Sequence, residues 1–236
     1  MDIINHPQLL LVKDSYHDTH SLVLSPRGFI QTTISELRTE ANNGNPEAQC
    51  VLGNYYDKGI NVNQDYCKAV DWYRKSAEQG YPVAQVLLAF LYLQGFGVPK
   101  DYTLYVEWLR KSAEQGYYMG QFHLGVAYIL GIGVTQDHKQ GADWYRKAAE
   151  QGFAYAQYGL ARYYLLGRYV FPRDFKQAVY WLRKAAEQGH DEAQHDLGIS
   201  YKHGFGVEQD IAKAKYWLQK AADQGFKYAQ WELNEM

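Results

Sequence analysis

The stretch Trp72-Tyr73-Arg74-Lys75-Ser76-Ala77-Glu78-Gln79-Gly80 decides the fold, because its ending keeps returning. It comes back as Ala113-Glu114-Gln115-Gly116, Ala149-Glu150-Gln151-Gly152, Ala186-Glu187-Gln188-Gly189 and Ala222-Asp223-Gln224-Gly225. Successive glycines lie 36, 36, 37 and 36 residues apart. Trp72, Trp108, Trp144, Trp181 and Trp217 keep the same intervals, and Ala41-Asn42-Asn43-Gly44 is a degenerate copy one period before Gly80. A fixed period of this length marks a chain built from one supersecondary unit stacked on itself.

Each repeat reads as two helices. Asn45 and Pro46 form an N-cap and first helical residue, and Ala48, Leu52 and Tyr56 follow at spacing four until Gly59 stops the run, which defines helix A. After the turn-forming Gly59–Gln64 stretch, Asp65 caps a second amphipathic run carrying Ala69, Trp72, Tyr73 and Ala77, which defines helix B. Gly80 ends it, since glycine enters the left-handed region without steric cost. The single 37-residue interval comes from a one-residue insertion in the Gly167–Asp174 loop.

The recurring Ala-Gln, Leu-Gly, Tyr, Gly-x-Gly-Val, Asp, Lys-Ala and Trp-Tyr-x-Lys-Ala-Ala-Glu-Gln-Gly pattern resembles the Sel-one-like repeat, a subfamily of the tetratricopeptide-type helical repeats. The resemblance runs from about Ile34 to the C-terminus, with local departures such as Asn61 for a loop Gly and Gly120 for an Ala. It implies an all-α fold, a right-handed α/α superhelical solenoid of about five full 36-residue helix-turn-helix repeats with a half repeat at each end. Residues 29–236 would form the solenoid, opening with a half unit at about 29–43, and residues 1–28, which match nothing in the repeat, an N-terminal arm or cap. A closing helix from Phe226 would cover the last pair with Trp231 and Leu233.

Composition excludes several classes. With 24 basic and 26 acidic residues in 236, the chain lacks the positive balance of a protein that neutralises many phosphates, so nucleic acid is not the expected partner. The Leu9-Leu10-Leu11-Val12 run is too short for an export core or a membrane span, which places the protein in the cytoplasm. Cys50 and Cys67 are two thiols rather than a disulfide framework. Some extracellular relatives carry a disulfide in every repeat, a pattern this chain does not share; whether the two cysteines pair stays open.

Site chemistry is weak. Gly95-Phe96-Gly97-Val98 and its copies hold half of a phosphate-binding signature, but they recur once per repeat as helix connectors. His190 and His195 are five apart, which puts them on different sides of a helix rather than on one metal-binding face. No nucleophile elbow is present, and the Trp and Tyr ladder of helix B falls at packing positions. The expectation is therefore a chain without catalytic residues, cofactor or metal.

In solenoids of this type the A helices line the concave surface. Once the repeat positions are subtracted, the first helix A presents a polar side, Glu47, Cys50, Asn54, Asp57 and Lys58, and the fifth presents Glu192, His195, Lys202 and His203. Between them lies an apolar stripe, from which Val86, Phe90, Phe122, Val126, Tyr155, Tyr158 and Arg162 are selected as partner-contact residues, with Arg162 as the polar anchor. An apolar groove with a polar rim suits an amphipathic or hydrophobic peptide. The expectation is thus a protein-interaction adaptor whose more specific form, implied by the resemblance, is a bacterial immunity or regulatory protein. Two alternatives stand beside it: a groove closed by residues 1–28 or by a second copy in a homodimer, and a hydrolase or binder of cell-wall-related ligands.

Overall fold

The structure, a computed structural model, describes residues 33–167 and 171–236, so the N-terminal arm, the start of the opening half unit and part of the Gly167–Asp174 loop lie outside the described residues. The described chain is helical and falls into two compact units, one ending at Asp137 and one running from His138 to Met236.

The first unit holds α1 (Ile34–Asn42), α2 (Pro46–Lys58), α3 (Tyr66–Glu78), α4 (Pro82–Gln94), α5 (Tyr102–Glu114) and α6 (Tyr118–Leu130). The second holds α7 (His138–Glu150), α8 (Ala154–Leu166), α9 (Phe175–Glu187), α10 (Asp191–His203), α11 (Ile211–Asp223) and α12 (Lys227–Asn234). In each unit every helix packs on its neighbour in sequence, and α4 also touches α6, so A and B helices form two layers.

The punctuation works as the residues demand. Asn45 caps α2 through its side chain with Pro46 behind it, and Asp65, Asp101, Asp174 and Asp210 cap the B helices α3, α5, α9 and α11. Tyr81, Tyr117, Phe153 and Phe226 begin their A helices without a side-chain cap bond. Gly59 ends α2 in the left-handed conformation, φ 71°.

Repeat positions that look like filler in the sequence carry the hydrogen bonds between helix pairs. In the first unit Gln79 Nε2 donates to Gln49 Oε1 (2.7 Å) and Gln115 to Gln85 (2.8 Å); in the second, Gln188 donates to Gln157 and Gln224 to Gln194, both at 2.8 Å. Gln85 and Gln157 turn their own amides onto the Ala77 and Ala149 carbonyls. A second rung joins arginine to tyrosine: Arg74–Tyr92 at 3.0 Å and Arg110–Tyr128 at 2.9 Å in the first unit, Arg183–Tyr201 at 3.2 Å in the second. The repeated tryptophans are braced by lysines, with Lys75 4.2 Å from the Trp72 ring and Lys147 3.9 Å from that of Trp144.

Two expectations are corrected. Trp231 does not cover the last pair, being 60% exposed; Ala229 seals α12 onto Leu218 and Ala221, with Phe226, Leu233 and Met236 packed alongside. The free side of α2 is also only partly open: Glu47 and Lys58 are half-buried, whereas Cys50, Asn54 and Asp57 are buried, and the Tyr73 hydroxyl lies 3.4 Å from Asp57 Oδ2. Cys50 is a free buried thiol and Cys67 a free exposed one, 3.7 Å from the Gly97 carbonyl.

Candidate functional site

The A-helix positions chosen from the sequence divide between the units. In the first, Val86, Phe90, Phe122 and Val126 are buried, with Phe90 only 1% exposed. Phe90 meets His123 edge-on at 4.8 Å and approaches Tyr105 at 6.3 Å, while Phe122 meets His123 at 4.9 Å. Tyr105 stands where the other B helices carry Ala69, Gly141, Ala178 and Ala214, and its ring is fully buried. Val86, Phe90, Phe122 and Val126 are all covered, which corrects the expectation that they line an open groove.

The second unit is open at only one of the equivalent positions. Arg162 is exposed, Tyr155 half-buried, and Tyr158 buried at the floor of a cleft. That cleft, of about 320 Å³, runs between α8 and α10 and is lined by Tyr158, Arg162, Leu165, Leu166, Glu192, His195, Asp196 and Phe226. Tyr158 and His195 occupy the same repeat position one interval of 37 residues apart, which is why adjacent A helices bring them to one place. Leu165 and Leu166 join from the end of α8, and Phe226 from the start of α12.

Its electrostatics come from four groups. The Arg162 guanidinium stands 5.8 Å from the Tyr158 ring centroid and has no ion pair among the described residues. Asp196 Oδ1 is 2.9 Å from His195 Nδ1, and its Oδ2 is 3.4 Å from the Tyr158 hydroxyl. Burial raises the Tyr158 phenol well above its ordinary range, Asp196 and Glu192 push the same way, and Arg162 pulls back. A phenol held neutral and facing a carboxylate is a hydrogen-bond donor, not an activated nucleophile.

His190, which the sequence grouped with His195, stands apart from it. His190 Nδ1 lies 3.4 Å from the Ala193 amide at the N-cap of α10, with the ring against Tyr155 (5.0 Å) and Tyr158 (4.6 Å). Burial holds its imidazole below the usual histidine range.

The sequence pattern singles out Tyr158 and Arg162 without joining them to Glu192, His195, Asp196 and Phe226, which line the same cleft. The signal was present in the 37-residue offset, read as a loop insertion and not as the register between two facing helices.

Against known proteins, the Sel1 repeat model matches residues 46–81, 82–117, 119–153, 154–190 and 191–226. The chain belongs to the Sel1 repeat family. Sel1 repeats form scaffolds typical of protein–protein interaction. A Sel1 repeat protein from Oxalobacter formigenes is 34% identical with a TM-score of 0.83, over 93% of this chain and 65% of that one. A protective antigen with the same fold from uropathogenic Escherichia coli is 35% identical, TM-score 0.81, over 96% of this chain and 50% of that one. The chain thus spans between half and two thirds of those two proteins. An immunity protein from Pseudomonas aeruginosa shares the fold at 20% identity, TM-score 0.56, over 92% of this chain and 82% of its own. No curated protein matches the chain. Among the described residues, no helix is long and apolar enough to cross a membrane.

Proposed function

We propose that this Sel1 repeat chain is a non-enzymatic interaction adaptor that receives a protein or peptide segment on the A-helix face of its second unit. The observation that carries the reading is the contrast between equivalent positions, buried at Phe90 and Val126 in the first unit and open at Arg162 in the second. The open face continues along the same repeat positions to Tyr228 and Trp231 on α12, which are 70% and 60% exposed. Arginine, tyrosine and tryptophan are the residue types that dominate binding energy when a partner covers them. Tyr155, Tyr158 and Arg162 are the contacts retained from the sequence reading.

Masking one partner, as a bacterial immunity or regulatory protein, is the specific form of this proposal. The Pseudomonas aeruginosa likeness supports it only by showing the fold in a protein of that description. The donor role of Tyr158 favours binding over hydrolysis.

Placing a photo-crosslinking residue at Trp231 or at Tyr216, an exposed site on the B helix α11, tests the face. The expected result in the native cell is one discrete protein adduct from position 231, removed by Arg162→Glu, and none from 216. Adducts from position 216 alone would assign the partner to the B layer and end the proposal.

A further inference from the structure

We infer that the cleft between α8 and α10 selects a partner segment carrying a single acidic residue beside a large apolar one. The inference rests on the A-helix face of the second unit being the partner site. Of the cations on α8 and α10, Lys202 is already taken, its Nζ 2.7 Å from Glu232 Oε2 with both side chains largely covered. Arg162 is exposed, is oriented over the Tyr158 ring and faces no carboxylate within ion-pair reach among the described residues. A guanidinium in that setting offers a planar fork matched to a carboxylate, and the aromatic ring beneath it reduces the entropy lost on pairing.

The opposite wall sets the limit on charge. Asp196 is engaged by His195 and Tyr158, and Glu192 stands on the same helix. One carboxylate can settle on Arg162, whereas a run of acids meets two like charges across the cleft. The apolar part is equally local. Leu165, Leu166 and Phe226 line it, Leu166 is 41% exposed, and Tyr228 extends the wall with its ring 5.8 Å from that of Phe226. A cleft of about 320 Å³ lies at the small end of ligand sites and fits side chains of an extended segment rather than a folded surface.

Fluorescence anisotropy of the full chain with three labelled nine-residue peptides provides the test. All have a Leu-x-Phe centre flanked by Gly and Ser, with x as one Glu, one Gln, or three consecutive Glu. The single-Glu peptide is expected to bind at least tenfold more tightly than the Gln peptide and more tightly than the triple-Glu peptide. Arg162→Gln should erase the difference, while Phe226→Ala weakens all three. Equal binding of the Glu and Gln peptides that is still lost in Phe226→Ala removes the acid preference but leaves the site. Absence of binding by every peptide, or binding untouched by both substitutions, overturns both readings. Because Arg162 is exposed, unchanged helicity of Arg162→Gln separates lost recognition from lost folding.

Discussion

Protonation of His123 is far costlier in the folded chain than in the unfolded one. The side chain sits on α6 among Phe90 and Phe122, and burial pushes its pKa down to about 3 from the ordinary 6.5. Between those values the unfolded chain binds the extra proton, so the stability present above pH 6.5 is lost as the pH falls. At about 1.4 kcal/mol per pH unit, the loss at pH 5 is about 2 kcal/mol. His190 in the second unit is shifted in the same direction. Urea unfolding at pH 7.5 and pH 5 should show the drop, with a shallower one in His123→Gln. A variant whose stability falls as steeply as the parent's would show that His123 is not the group responsible. Neither the burial nor its effect is legible in the sequence, where His123 occupies a repeat position filled by Val51, Leu87, Gly159 and Asp196 in the other units.

Among helices and connectors, the glycines differ in what they tolerate. Gly206 has φ 70°, and a β-carbon there would lie closer than 3 Å to the backbone of Phe175 and Lys176 at the start of α9. Gly189 has φ 94° but nothing within 4 Å of the same atom. Alanine at Gly189 therefore pays the left-handed penalty alone, about 1–2 kcal/mol. Alanine at Gly206 must also displace backbone, and thermal denaturation should show a clearly larger loss; equal losses would mean the connector moves aside freely. The elements themselves were legible, because Asn45-Pro46, Asp65, Gly59 and Gly80 specify caps by local chemistry that the fold does not override. The sidedness of the A helices was not. Subtracting the repeat positions left Phe90 and Arg162 as equivalents, yet one is buried and the other open, a difference that the repeat pattern itself does not encode.

For the molecule as a whole, neighbour-only packing predicts that damage stays local. Leu218 is fully buried against α12, whose own buried contribution is Ala229. In hydrogen exchange, Leu218→Ala should accelerate α11 and α12 strongly while the amides of α4 keep their protection. Uniform acceleration through α4 would show a chain that opens only as a single cooperative body.

The Gln79–Gln49 type of bond has a bearing on how such a chain changes its length. Gln79 and Gln115 in the first unit and Gln224 in the second each donate to an acceptor 30 residues earlier, and the single loop insertion stretches that to 31 between Gln188 and Gln157 without breaking it. Loss or duplication of one whole repeat returns a donor opposite an acceptor at the new junction, whereas a cut of half a repeat leaves a buried glutamine such as Gln49 without the exposed donor that reaches it. Recombination between equivalent positions is thus chemically silent here, and gene-length variation in whole repeats is the variation this chemistry permits.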